Sequence, residues 1–357
     1  MEFGRTQRLI GLLFVSTSIY ALCPNKEDHP GYSRQPAVQP YSPPLTSPCN
    51  DEPDQPACSV LCDAGPRTCH GSDVYFSADF LLWMPRQDGL EFAMSGIGAN
   101  TGSGNVHSID FSAEFGFKVG LGYDLPYDGW DIFGQFTWIH GDGSETASGS
   151  NTTTLYRQVN NTVSSAKADW TIKYNVIDLE LAHNFFVSKY LKIRPFAGFK
   201  GTWQSQDYNI NFTDTTISMV DSKTRIDQGF WGFGPRGGIN TAWHFINNFS
   251  LIGDVAISAL WSGYDVERHD TDTFLGLSSN AIDTHNNYHT VSPVLELLIG
   301  LRYESWFYGN EYHIAIDAGW EEQIWWGHNR YVVINQPQHN GGNLSFHGLT
   351  FKVRFDF

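Results

Sequence analysis

Three observations predict an all-β chain. Apolar and polar residues alternate strictly in segment after segment, the chain ends on such a segment with a terminal Phe, and Gly and aromatic residues are abundant. The expected architecture is a transmembrane antiparallel up-and-down β-barrel of about ten strands, twelve being the alternative, behind a disordered Cys- and Pro-rich arm. At the C-terminus Phe357, Phe355, Val353, Phe351 and Leu349 are apolar at every second position, with Asp356, Arg354, Lys352 and Thr350 between them. In a barrel this last strand must pair with the first, because an open edge is not tolerated in lipid. Phe351, Val353, Phe355 and Phe357 are the expected signal to the barrel-assembly machinery. A soluble sandwich can also end on an alternating strand, so the remaining segments decide.

The 357 residues carry a formal charge of −16, which excludes a nucleic-acid partner because nothing neutralises phosphates. Residues 1–21 read as a signal peptide: Arg5 and Arg8 precede the apolar run Leu9 to Val15, and Ala21 offers a small residue for cleavage. Lipidation at Cys23 is disfavoured by Tyr20 and Leu22. Residues 22–71 read as a periplasmic arm. All five cysteines, Cys23, Cys49, Cys58, Cys62 and Cys69, precede residue 72, as do ten of the 16 prolines. Such a segment cannot build a core. Exported cysteines oxidise, and five is odd, so either one bridges to another envelope protein or a second copy, or local disulfides leave a spare thiol. Cys58, Cys62, Cys69 and His70 have poor spacing for zinc, and no metal or cofactor is expected.

Residues 72–357 are the expected barrel. In its cleanest segment Ile109, Phe111, Ala113, Phe115, Phe117, Val119, Leu121 and Tyr123 share one face, and Asp110, Ser112, Glu114 and Lys118 lie on the other. A one-residue slip would turn the charges into lipid, where a cation at the midplane costs about 2–4 kcal/mol. Fifteen residues reach about 38 Å after tilt, beyond the ~25 Å apolar band, so this strand is expected to project. Apolar faces recur at 191–203, 249–261, 291–303 and 312–320, with less regular strands near 74–84, 130–140, 170–186 and 229–245. An apparent face switch between Val176 and Ile177 suggests a bulge. Short connections at 126–129, 188–190, 246–248 and 305–310 alternate with long ones near 86–107, 141–167, 204–228, 262–288 and 327–343, the barrel arrangement with short turns in the periplasm. The stretch 87–95, or part of a long loop, is where a further hairpin would hide.

Aromatic residues end many apolar faces: Tyr123, Trp130, Trp138, Trp203, Trp261, Tyr312 and Trp320. Trp130 and Trp138 sit about 26 Å apart along one strand, as two interfacial girdles require. The run Gly116-Phe117-Lys118-Val119-Gly120-Leu121-Gly122-Tyr123-Asp124-Leu125-Pro126-Tyr127-Asp128-Gly129-Trp130-Asp131, with Trp138 and His140, resembles the Legionella-type major outer membrane protein family, which has relatives in Chlamydia-related bacteria. Ala78 to Trp83, Asp88 to Ala93, Gly232 to Arg236, Gly319 to Glu321 and the ending Leu344 to Phe357 share the resemblance. It implies an integral barrel of the bacterial outer membrane that forms a pore. The arm departs from the simplest pattern of that family.

The polar faces place Glu114, Lys118, Lys192, Arg194, Lys200, Asp254, Glu296, Arg302, Asp317, Lys352 and Arg354 in the lumen. This mixture of signs suits either a salt-bridged, closed interior or a lined channel, and narrow barrels tend to be filled. Gly120-Leu121-Gly122 lies inside a strand, which rules out a phosphate cradle; small residues there make room in a narrow lumen. His140 with Asp142, and Asp265 with His269, are the acid–base pairs an outer-membrane hydrolase would use, and loop polarity accounts for them as well. The Asn151 and Asn211 sequons reflect loop composition. No enzyme is expected. The expected role is passive diffusion of small hydrophilic solutes or ions, with lipid and the assembly machinery as partners. A structural or adhesive protein cross-linked through its cysteines is the alternative. The acidic 262–288 segment is expected to favour cations.

Overall fold

The computed structural model describes residues 73–96, 104–125, 129–156, 162–213, 220–246, 248–274, 277–308, 311–331 and 342–357. The signal peptide, the arm and its five cysteines lie outside them. Thirteen strands run in order: β1 (Val74–Gln87), β2 (Ala93–Ser95), β3 (Asn105–His107), β4 (Glu114–Asp124), β5 (Trp130–Thr154), β6 (Thr162–His183), β7 (Phe185–Phe186), β8 (Leu191–Thr213), β9 (Val220–Ile246), β10 (Phe249–Phe274), β11 (Leu277–Phe307), β12 (Tyr312–Trp325) and β13 (Leu344–Asp356). Ten of them close a ring of antiparallel ladders: β1, β4, β5, β6, β8, β9, β10, β11, β12, β13 and back to β1. β2 and β3 form a small hairpin against the far end of β5, outside the ring. Closure joins the two ends of the barrel sequence: Phe80 lies opposite Phe351 and Asp79 opposite Lys352. The Phe357 N–H donates to the Val74 carbonyl at 3.2 Å.

The wall is uneven. β5 to β11 run to 22–31 residues, apart from the two-residue β7, whereas β12, β13, β1 and β4 have 11–14. Three expected long loops, near 141–167, 204–228 and 262–288, are therefore mostly strand, and only 155–161, 214–219 and 275–276 connect them. Their Gly, Ser, Thr, Asn and Asp content resembles loop composition. It arises because these hairpins turn their polar residues outward.

β6 shows why. Its inward residues run Ala166, Ala168, Trp170, Ile172, Tyr174, Val176, Asp178, Glu180, and its outward ones Lys167, Asp169, Thr171, Lys173, Asn175, Ile177, Leu179, Leu181. Parity never changes, and the register against β5 and β8 is continuous through Val176 and Ile177. The expected bulge is absent. The pattern inverts because the strand passes from a zone with hydrocarbon outside to one with water outside. β8 does the same: Phe199 and Trp203 face out below, Asp207 and Asn209 above, while Lys200 faces in below and Tyr208, Ile210 and Phe212 above.

The expected strand from Ile109 is shorter than its alternation suggests. β4 begins at Glu114; Phe111 makes one isolated bridge to Gly143 and packs edge-on against Trp170, and Ile109 is buried. The projecting wall is built by β5 to β11 instead. Gly120 and Gly122 on β4 face inward where a Cβ would strike the rings of Phe133 and Tyr75, which stack with centroids 5.7 Å apart.

Leu179→Arg, outward in the apolar band, is expected to destabilise the folded barrel by about 2–4 kcal/mol, whereas Thr171→Arg on the same face beyond it changes stability by under ~0.5 kcal/mol. Urea titrations in lipid vesicles measure both.

Candidate functional site

At the level of the apolar band the ring encloses a cavity of about 150 Å³, room for on the order of ten waters. Eight cationic and seven anionic residues line it. Most are tied into ion pairs. One chain crosses five strands. Arg194 joins Asp131 at 2.5 Å and Glu180 at 2.9 Å, and Arg236 joins Glu180 and, at 2.8 Å, Glu296. Lys200 joins Glu296 at 2.9 Å and Asp178 at 2.8 Å. Across the lumen Lys118 donates to both oxygens of Glu321 at 2.6 and 2.8 Å, beneath Trp83. Glu321 also accepts from Thr350 and Gln323. Arg302 grips Asp317 through two nitrogens at 2.6 and 2.7 Å. Arg354 lies over Tyr75 and bonds Asp356 at 2.5 Å, and the His313 ring meets Asp356 at 2.6 Å.

Lys192, Lys352, Asp79 and Asp254 also line the cavity and form no ion pair among the described residues. Lys352 sits opposite Asp79 on β1 and Asp317 on β12, with its amine over the Phe133 ring. These four are the charges left to meet water or a solute.

Beyond the cavity, away from the C-terminus, the interior turns apolar. Trp83, Trp170, Tyr174, Phe230, Tyr264, Trp325 and Phe346 belong to one buried cluster. Two connections on the short side fold into it. Leu90 accepts the Tyr208 hydroxyl at 2.8 Å, and Asn329 donates to the Asp88 carbonyl at 2.8 Å. Tyr331 stacks on Tyr208 and donates to Gln206 at 2.9 Å. Gln228 donates to the His328 carbonyl and accepts from the Arg330 N–H, both at 3.0 Å. Residues 328–331 thus cross from β12 to β8 and β9, and close the outer half with a layer of rings. His328 is buried among Phe230, Tyr264 and Trp325, with neither ring nitrogen hydrogen-bonded. Burial, then Arg330, hold its pKa down to about 3.

The structure brings ten of the eleven anticipated lumen charges to the cavity. Glu114 is the exception: it stands at the outer end of β4, accepting a hydrogen bond from Ser112 at 2.8 Å. Asp79, Asp131, Asp178, Glu180, Arg236 and Glu321 are central to the lumen and were not anticipated. Their signal was parity with neighbours: Asp178 and Glu180 alternate with Ile177, Leu179 and Leu181, and Arg236 shares a face with Gly232 and Gly234. Tyr123, Trp130, Trp138, Trp203, Trp261, Tyr312 and Trp320 all stand exposed on the outer wall, with Trp231 and Trp243 beside them. Trp203 lies directly opposite Trp231. Phe351, Val353, Phe355 and Phe357 also face outward. His140 and Asp142 point outward above Trp138, away from the cavity, as do Asp265 and His269.

A closed strand ring, greasy outside and charged within, defines an integral outer-membrane β-barrel. The chain belongs to the Legionella major outer membrane protein family, whose model, described as the Legionella pneumophila major outer membrane protein precursor, matches residues 66–357. No curated protein sequence matches it. Among solved structures it is similar to a major outer membrane protein from Thermus thermophilus, at 11% identity and a TM-score of 0.24, covering 80% of this chain and 99% of that one. A Pseudomonas aeruginosa FadL homologue gives 9% and 0.25, covering 80% and 89%. The P. putida toluene transporter TodX gives 8% and 0.23, again covering 80% and 89%. Those likenesses are loose and add nothing to the ring of strands described above.

Arg236 holds three carboxylates apart. Arg236→Ala leaves Asp178, Glu180 and Glu296 buried with only Lys200 and Arg194 to neutralise them, and is expected to cost about 3 kcal/mol in guanidinium unfolding of the detergent-folded barrel. His328 is neutral when folded and binds a proton more readily when unfolded, so stability falls as pH drops from about 6.5 towards 3. His328→Phe is expected to flatten that part of the pH–stability curve.

Proposed function

We propose that this barrel is a porin-like channel for passive diffusion of small hydrophilic solutes or ions, closed in this conformation by its inward-folded outer connections. The charged cavity at membrane level, with room for water, carries the reading. Burying so many ion pairs adds little to stability by itself, because desolvation offsets much of their attraction, and this favours a lined passage over a merely structural core. Opposite charges facing one another across a narrow passage orient water and ions within it. Lys192, Lys352, Asp79 and Asp254 are the lining charges free to exchange partners with a solute. Passage requires residues 328–331 to leave the ring layer. Trp and Tyr on the outer wall hold the barrel at the lipid interfaces, and the outward-facing Phe351, Val353, Phe355 and Phe357 meet the assembly machinery. No catalytic role is proposed: the histidine–carboxylate pairs face outward from a sheet surface, away from the cavity.

The packed ring layer favours one other reading, a structural surface protein anchored through its N-terminal cysteines. Single-channel recording in planar bilayers separates the two. The intact protein is expected to give small, rare openings. Replacing residues 328–331 with Gly-Ser is expected to give larger, longer ones. No current from either folded protein leaves the structural reading.

A further inference from the structure

The hairpin of β10 and β11 that projects beyond the apolar band carries a set of donors the transport reading does not use. Asp265, Glu267 and His269 occupy successive outward positions on β10. On β11 His285 lies directly opposite Glu267, and Asp283 opposite His269. The two strands thus bring two imidazoles and three carboxylates to one exposed face.

Their side chains converge. His285 Nε2 lies 3.0 Å from Asp265 Oδ1, and its Nδ1 lies 3.8 Å from Glu267 Oε1. His269 Nδ1 lies 3.2 Å from Asp283 Oδ1, and its Nε2 lies 3.7 Å from Glu267 Oε2. Asp265, Glu267 and His285 each place a ligand atom within 4.8 Å of the others. None of the four approaches has the geometry of a hydrogen bond, unlike the His313–Asp356 contact in the lumen. One ion takes a single nitrogen of His285, and one ligand atom from each of the three residues lies within 4.8 Å of the others, a span that small rotations of these exposed side chains bring to the ~3.4 Å between two ligands ~2.1 Å from a tetrahedral ion. The adjacent guanidinium, Arg225 on β9, is held by Asp227 at 2.8 Å and lies 3.8 Å from Asp207. It does not neutralise the cluster.

We propose that the outer face of this hairpin binds a divalent transition-metal ion through His285, Asp265 and Glu267. Imidazole with two carboxylates selects a borderline ion such as zinc over calcium, which prefers an all-oxygen shell of six to eight ligands. Water completes the fourth position. Glu267 offers its other oxygen towards His269, which steadies the carboxylate. The ion clips β10 to β11 where no lipid supports the sheet.

Calorimetric titration of the tag-free barrel in detergent with zinc chloride, and separately with calcium chloride, tests this. The chain has 13 histidines, so the difference between proteins is the readout. His285→Gln and Glu267→Gln are each expected to remove one zinc per chain or weaken it at least tenfold, with calcium binding at least tenfold weaker than zinc. All these side chains are exposed, and Asp265→Asn serves if either variant refolds poorly. Zinc binding unchanged by the substitutions overturns the proposal. So does calcium binding as tight as zinc and indifferent to His285→Gln, which marks an ordinary acidic surface.

Discussion

Amide groups cannot be left unpaired in hydrocarbon, and the ladder between β1 and β13 is what satisfies that condition here. It joins the first described strand to the last, so no stretch of the sheet is stable in the membrane before the chain is complete. Closing the ring also creates an inside. Once an inside exists, every residue on every strand is committed to one of two environments, and the pleat assigns them alternately. The outer environment then governs the sequence. Where lipid surrounds the wall, apolar residues face out and charges face in; where water surrounds it, the same parity carries the reverse chemistry.

The interior inherits two compartments from this rule. Next to lipid-facing positions the lumen receives the polar half of each strand, and the ion pairs around Arg194, Arg236 and Lys200 give those charges partners. Next to water-facing positions it receives the apolar half, and Trp170, Phe230, Trp325 and their neighbours pack as they would in a soluble protein. The seal is built from the barrel's own residues. It forms from the same strands, completed by two connections that Asn329 ties together at the Asp88 carbonyl and that Gln206 and Gln228 tie to the wall through the Tyr331 hydroxyl and the backbone of His328 and Arg330.

Most of the wall was legible in the sequence because lipid penalises a misplaced charge strongly. The strands from 191, 249, 291 and 312, the closing strand and the outward Trp and Tyr residues all follow from period-two alternation. The projecting hairpins were not legible, because their outward residues are those of loops. Asn209, Thr171 and Glu267 look alike in a strand and in a turn. Val176 and Ile177 mark the crossing point, and a change of environment there has the same one-dimensional signature as a bulge. Asp178, Glu180 and Arg236 escaped notice for the same reason: their faces could be assigned only once parity was known to persist. Ile109 shows the opposite error. Its alternation with Phe115 is real, but the chain leaves the ladder before Glu114, and the side chain turns into the core.

The regular extension of the tall flank limits how this surface can change over time. Inward positions such as Tyr208, Ile226 and Val266 are committed to packing, while Asp207, Arg225 and Asp265 beside them face solvent. Amino-acid replacements on the exposed flank that leave the sheet folded are confined to every second residue. Variation among strains should accordingly appear there as a comb, not as a block.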